Sequence, residues 1–89
     1  MIIRNDEHKR ETSENVFGGS GSVHFKRIIE TPEELYGKGR VFSVVTLDPG
    51  SELGWHIHKG DGEYYCVLSG EGEYSDNGSI VTLHAGDTA

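Results

Sequence analysis

The stretch "GWHIHKGDGEYYCVLSG", residues 54–70, holds two histidines one residue apart and a glutamate five places after the second. Side chains alternate across a β-strand, so His56 and His58 would project to one face while Trp55 and Ile57 project to the other. The two glycines of "KGDG" permit a tight reversal, and a strand returning through that loop would start with Glu63 close to both imidazoles. Two imidazole nitrogens and one carboxylate converging on a point make a metal site of the two-His-one-carboxylate kind. Such a site suits iron(II), manganese or zinc and leaves positions for water or substrate. An isolated H-x-H is more often a pair of surface groups, so the surrounding elements must decide.

Those elements read as short strands punctuated by turns. "VHFKRII" alternates at Val23 and Phe25 before the doublet Ile28-Ile29, and "RVFSVVTL", residues 40–47, is rich in β-branched and aromatic residues. "TPEELY" predicts one helical turn, with Thr31 as N-cap and Pro32 at the first helical position. "LGWHIH" and "EYYCVL" are the next two strands. "EGEYSDNGSIVTLH" then predicts a hairpin about Asp76-Asn77-Gly78. Six short strands and one helical turn imply an all-β antiparallel sandwich or barrel. Residues 4–15, "RNDEHKRETSEN", show almost no apolar content and no period, which predicts a solvated arm or a frayed helical turn. "GGSGS", residues 18–22, has the composition of a linker, but its apolar flanks, Val16-Phe17 and Val23, favour a native bend needing positive φ.

A chain of 89 residues supports one small domain, which buries only about 60% of the surface its unfolded form exposes. No apolar run approaches the roughly 20 residues that span a bilayer, and a first decapeptide "MIIRNDEHKR" is too charged for a signal peptide. With a single cysteine, Cys66, no internal disulfide can form, and the expected location is the cytoplasm. The net charge of −7 and scattered basic residues disfavour nucleic acid and anionic membranes as partners. A small molecule or a second copy of the chain fits better.

From Gly50, five residues lead to His56, one separates it from His58, four lead to Glu63 and six lead to Gly70. This spacing closely resembles the first signature motif of the cupin superfamily, G-x5-H-x-H-x3–4-E-x6-G. "GGSGSVHF", "LDPGSELG", "YYCVLSGEGEY" and "LHAGD" extend the likeness to a small single-domain bacterial cupin across residues 16–89, with residues 1–15 as a polar arm. The resemblance implies a double-stranded β-helix, the cupin jelly-roll, with a divalent metal ion (Mn, Fe, Zn or Ni) inside it. It makes His56, His58 and Glu63 the metal ligands and Gly50 and Gly70 turn residues. Tyr65 and Val67 share the parity of Glu63 and should face inward, Tyr65 lining the ligand pocket or simply packing in the core. Cys66 has the opposite parity and is expected to be a buried small hydrophobe.

The family's second motif, G-x5-P-x-G-x2-H-x3-N, supplies a fourth ligand. Here it starts at Gly86-Asp87, and the sequence stops three residues after that glycine. Three explanations stand open: a fragment, a barrel completed by a second copy in a homodimer, or a shortened form with three ligands. His24 and His84 are candidate substitutes, each more readily explained as an ordinary strand or surface histidine. By resemblance, the function is that of a metal-dependent enzyme on a small organic substrate, such as a dioxygenase, sugar-phosphate isomerase, epimerase or oxalate decarboxylase. The alternatives are a non-catalytic metal or small-ligand binding module and an inert remnant.

Overall fold

The computed structural model describes residues 1–56, 60 and 62–89. It divides into two units, Met1–His56 and Ile57–Ala89. Among the described residues the regular elements are strands and short 3-10 turns, and no helix is long and apolar enough to cross a membrane.

The first unit is an antiparallel sheet of β1 (Lys9–Glu14), β2 (Ser22–Ile29) and β3 (Phe42–Leu47), with β2 in the middle. On one face, Val23 of β2 lies opposite Ser13 of β1 and Leu47 of β3, and Phe25 lies between Glu11 and Val45. Val23 is fully buried. The other face pairs His24 with Thr12 and Thr46, and Lys26 with Arg10 and Val44, a polar surface. Where the alternation of β2 breaks at the Ile28-Ile29 doublet, the register to β3 shifts between Arg27 and Ile29, as an inserted residue requires.

β1 corrects the reading of residues 4–15 as a solvated arm or frayed turn. Only Asn5–Glu7 form a 3-10 turn, and Lys9–Glu14 pair with β2 along their whole length. An edge strand with little burial has no hydrophobic period to betray it; cross-strand polar pairs hold it instead. Glu11 accepts a hydrogen bond from the Arg27 Nε at 3.1 Å, and Arg27 lies 4.9 Å from the centre of the Phe25 ring. On the opposite face Thr12 Oγ1 sits 2.8 Å from His24 Nδ1, and His24 Nε2 sits 2.9 Å from Asp48 Oδ1.

After β2 comes the expected helical turn, Pro32–Leu35, a single 3-10 turn. Its cap is reciprocal: the Glu34 backbone N–H donates to Thr31 Oγ1 at 3.4 Å, and that hydroxyl donates to Glu34 Oε1 at 3.1 Å.

The second unit contains the hairpin of β4 (Glu71–Asp76) and β5 (Ser79–His84), in register from Glu71 opposite His84 to Asp76 opposite Ser79. Its two-residue turn, Asn77-Gly78, has φ of 50° and 88°, the left-handed pair that matches the twist of a hairpin. The segment read as the strand "EYYCVL" pairs with the last residues of the chain. Among the described residues, Cys66 forms an isolated bridge to Thr88. The flanking backbone makes a short ladder to the last residues: Tyr65 N–H donates to Ala89 O at 2.8 Å, Ala89 N–H to Tyr65 O at 2.9 Å, and Val67 N–H to Asp87 O at 2.9 Å. Residues 53–56 carry no strand assignment, and within them the Gly54 N–H donates to Val16 O at 2.9 Å. The expected pairing of 53–58 with 63–68 involves Ile57 and His58, which lie outside the described residues.

With Val23 the fully buried hydrophobic side chain among the described residues, the first unit should be sensitive at that position. Replacing Val23 by Ala is expected to cost about 2 kcal/mol in urea unfolding, two buried methyl groups plus the cavity they leave. A change within about 0.5 kcal/mol, the range of an ordinary surface substitution, would place the core elsewhere.

Candidate functional site

His56 ends the first unit, and the route to it is set by the loop joining β1 to β2. Asn15 opens that loop in the left-handed region, its N–H donating to Gly21 O at 3.1 Å and its side-chain amide to Gly19 O at 3.0 Å. The loop is stitched to residues 50–54. Ser20 Oγ donates to Gly50 O at 3.1 Å, Ser22 N–H to Ser51 Oγ at 2.9 Å, Glu52 N–H to Ser20 O at 2.8 Å, and Gly54 N–H to Val16 O at 2.9 Å. A β-carbon on Gly54 would stand 2.0 Å from Phe17 O, so the approach requires glycine there. "GGSGS" is thus a native bend, with Gly18 and Gly21 at positive φ.

The approach delivers a backbone carbonyl and an aromatic ring to His56. Its Nδ1 lies 2.9 Å from Gly54 O. A carbonyl only accepts, so Nδ1 carries a proton, and in the neutral imidazole the lone pair is on Nε2. This is the arrangement by which a metal-ligating histidine is commonly oriented through its second nitrogen. The Phe17 ring stacks on the imidazole, with centroids 3.9 Å apart and planes at 15°. Phe17 was not legible as a site residue; the apolar pair Val16-Phe17 before two glycines marks a bend but not what the ring touches.

Glu63 belongs to the second unit, where its carboxylate accepts a hydrogen bond from the Tyr65 hydroxyl. The parity of the segment holds: Tyr65 and Val67 are half-buried, while Tyr64, Cys66 and Leu68 are exposed. Tyr65 meets Tyr74 edge-on at 6.5 Å. Burial raises the pKa of the Tyr65 hydroxyl well above its ordinary value, and the adjacent Glu63 carboxylate raises it further by holding the proton and opposing a second negative charge. Cys66, expected to be buried, is exposed. The same alternation that turns Tyr65 inward turns it outward, with Thr88 Oγ1 3.7 Å from its sulfur.

His58 lies outside the described residues. His56 and Glu63 fall in different units, and each is described within its own. Among the described residues, no group of three or more His, Cys, Asp or Glu stands poised to hold a metal. Gly50 and Gly70, which frame the histidines and glutamate, both adopt positive φ, 78° and 75°, as turn residues do. His24 spends both ring nitrogens on Thr12 and Asp48. His84 directs Nε2 to Glu71 at 3.3 Å and Nδ1 to Asp87 at 3.9 Å.

All-β architecture, antiparallel pairing and the glycine-framed His-x-His…Glu segment define a small jelly-roll protein of the cupin kind. The family model described as "Cupin domain" matches residues 43–89, and the chain belongs to this family. An oxalate-binding protein of Thermotoga maritima is 39% identical over 87 residues, covering 98% of this chain and 71% of that protein. The crystal structure of a predicted oxalate decarboxylase from Thermotoga maritima superposes with a TM-score of 0.91 at 38% identity, covering 100% of this chain and 76% of that one.

Because native Tyr65 holds its proton more tightly than the unfolded chain does, the stability it contributes is complete below the ordinary tyrosine value of 10.0 and is lost as pH rises beyond it. In an alkaline titration followed by tyrosinate absorbance, Tyr65 should ionise last. Glu63→Gln should move that step to lower pH, and Tyr65→Phe should remove it. Persistence of the late step in Tyr65→Phe would assign it to another tyrosine.

Proposed function

We propose that His56, His58 and Glu63 hold a divalent metal ion and that the protein uses it to bind a small carboxylate of the oxalate class. The observation that carries the reading is the bond from His56 Nδ1 to the Gly54 carbonyl, which leaves the lone pair on Nε2. The complete motif supports the other two ligands, and the relative named for oxalate binding supports the ligand class. Imidazole and carboxylate donors suit Mn, Fe, Zn or Ni, with ion identity left to availability. When bound, such an ion supplies a Lewis acid for carboxylate oxygens.

Charge gives an independent reason. A chain of net charge −7 opposes the approach of a dianion, and a divalent cation reverses the local sign. The chain's own residues fix where that reversal happens. Gly54 holds the His56 proton on the nitrogen away from the ligand, and the Tyr65 hydroxyl steadies the Glu63 carboxylate. Imidazole coordinates only when neutral, so acid competes with the metal. The homodimer expected from the resemblance belongs to the same reading and is checked by sedimentation.

Metal content after dialysis and calorimetric titration with oxalate test the proposal. The wild type should retain metal, bind oxalate and melt higher in its presence; ligand at a hundred times Kd adds about 2.7 kcal/mol. The double variant His56→Ala/His58→Ala and chelated wild type should lose oxalate binding. Unchanged metal content in the double variant, or equal oxalate affinity after chelation, would sink the assignment. Formation of carbon dioxide and formate from oxalate would make the protein a decarboxylase rather than a binder.

A further inference from the structure

We infer that Phe17 is a positioning residue for His56, so that the β1–β2 loop is part of the metal centre; this rests on the metal reading above. Phe17 is 61% exposed, and burial of apolar surface does not account for its place. Its backbone, at φ 52° and ψ 32°, lies in the left-handed region. A bulky side chain pays there for a conformation that glycine takes without penalty. Strain of this kind persists where the surroundings over-determine the backbone, and it concentrates at functional sites.

What over-determines Phe17 is the contact with Gly54. The Phe17 carbonyl fills the space of the missing β-carbon, and the neighbouring Val16 carbonyl accepts the Gly54 N–H at 2.9 Å. The same glycine then accepts from His56 Nδ1 at 2.9 Å. One backbone contact therefore seats both the phenyl ring and the hydrogen bond.

The two restraints on His56 are complementary. A hydrogen bond at Nδ1 fixes that nitrogen in the imidazole plane but allows the ring to pivot about the bond. Stacking at 3.9 Å with planes at 15° opposes that pivot. Together they aim Nε2, and a metal ligand must be held to within about 0.5 Å and 10–20° of its working geometry. The phenyl face also covers one side of the imidazole against water.

Phe17→Gly separates this role from a structural one, because it removes the ring while relieving the left-handed backbone. The metal-free variant should melt at the wild-type temperature or above it. Its affinity for zinc or manganese should fall roughly tenfold or more, the usual effect of losing a group that orients a ligand. Phe17→Trp should keep wild-type affinity. In the metal-free protein, the His56 ring protons should move downfield in Phe17→Gly as the ring current disappears. Wild-type affinity in Phe17→Gly, or a melting temperature that falls together with affinity, would overturn the inference. If His56→Ala leaves metal binding intact, the metal reading itself fails, and the proton shifts still report whether the stack exists.

Discussion

The missing side chain at Gly54 is the constraint on which the first unit's functional end depends. With a β-carbon there, the Phe17 carbonyl could not approach, and residues 16–22 could not lie against residues 50–54. The hydrogen bonds that join those two segments would then lose their geometry together. Each contributes about 1 kcal/mol net, but an unmet buried partner costs more than the bond contributes. The loop between two strands thereby becomes the template for the segment leading to His56.

Around that template the first unit is lightly built. Its fully buried hydrophobic side chain is Val23, so little of its order comes from apolar burial. Polar pairs across the strands take a larger part: Glu11 with Arg27, and Thr12 with His24 and Asp48. The His24 chain ties all three layers of the ladder, since Thr12 is on β1, His24 on β2, and Asp48 follows β3 directly. Such pairs are individually weak in water, but they specify register, and a one-residue slip would separate every one of them.

This division explains what was legible in the sequence. β2, β3 and the β4–β5 hairpin carry alternation, β-branched residues or the Asn77-Gly78 signal, and the structure has them. β1 was illegible because "KRETSE" contains no apolar residue; its pairing is dictated by β2 across a loop, which no local window reveals. In residues 63–68 the alternation reports which side chains turn inward, as it does for Tyr65 and Val67, but alternation does not specify a partner, and Cys66, expected to be buried, is exposed. The family was legible from the glycine-framed spacing. Phe17 was not, because a stack between residues 39 positions apart leaves no periodic trace.

His24, His84 and His56 differ in the partners they already hold. His24 and His84 each direct a ring nitrogen to a carboxylate within their own unit, and their other nitrogen is also engaged. Taking up a metal at either would mean exchanging an existing polar partner for the ion. His56 has among its contacts a backbone carbonyl at Nδ1 and an aromatic face, both neutral. Neither contact would have to be given up if His56 took a metal at Nε2, as proposed. Orientation in advance removes part of the entropic cost of binding, which is why the supports of a ligand are as informative as its identity. The Glu63 carboxylate accepts from the Tyr65 hydroxyl, whose ionisation burial and the carboxylate itself oppose. A donor that cannot lose its proton near neutrality holds the carboxylate without competing for its charge.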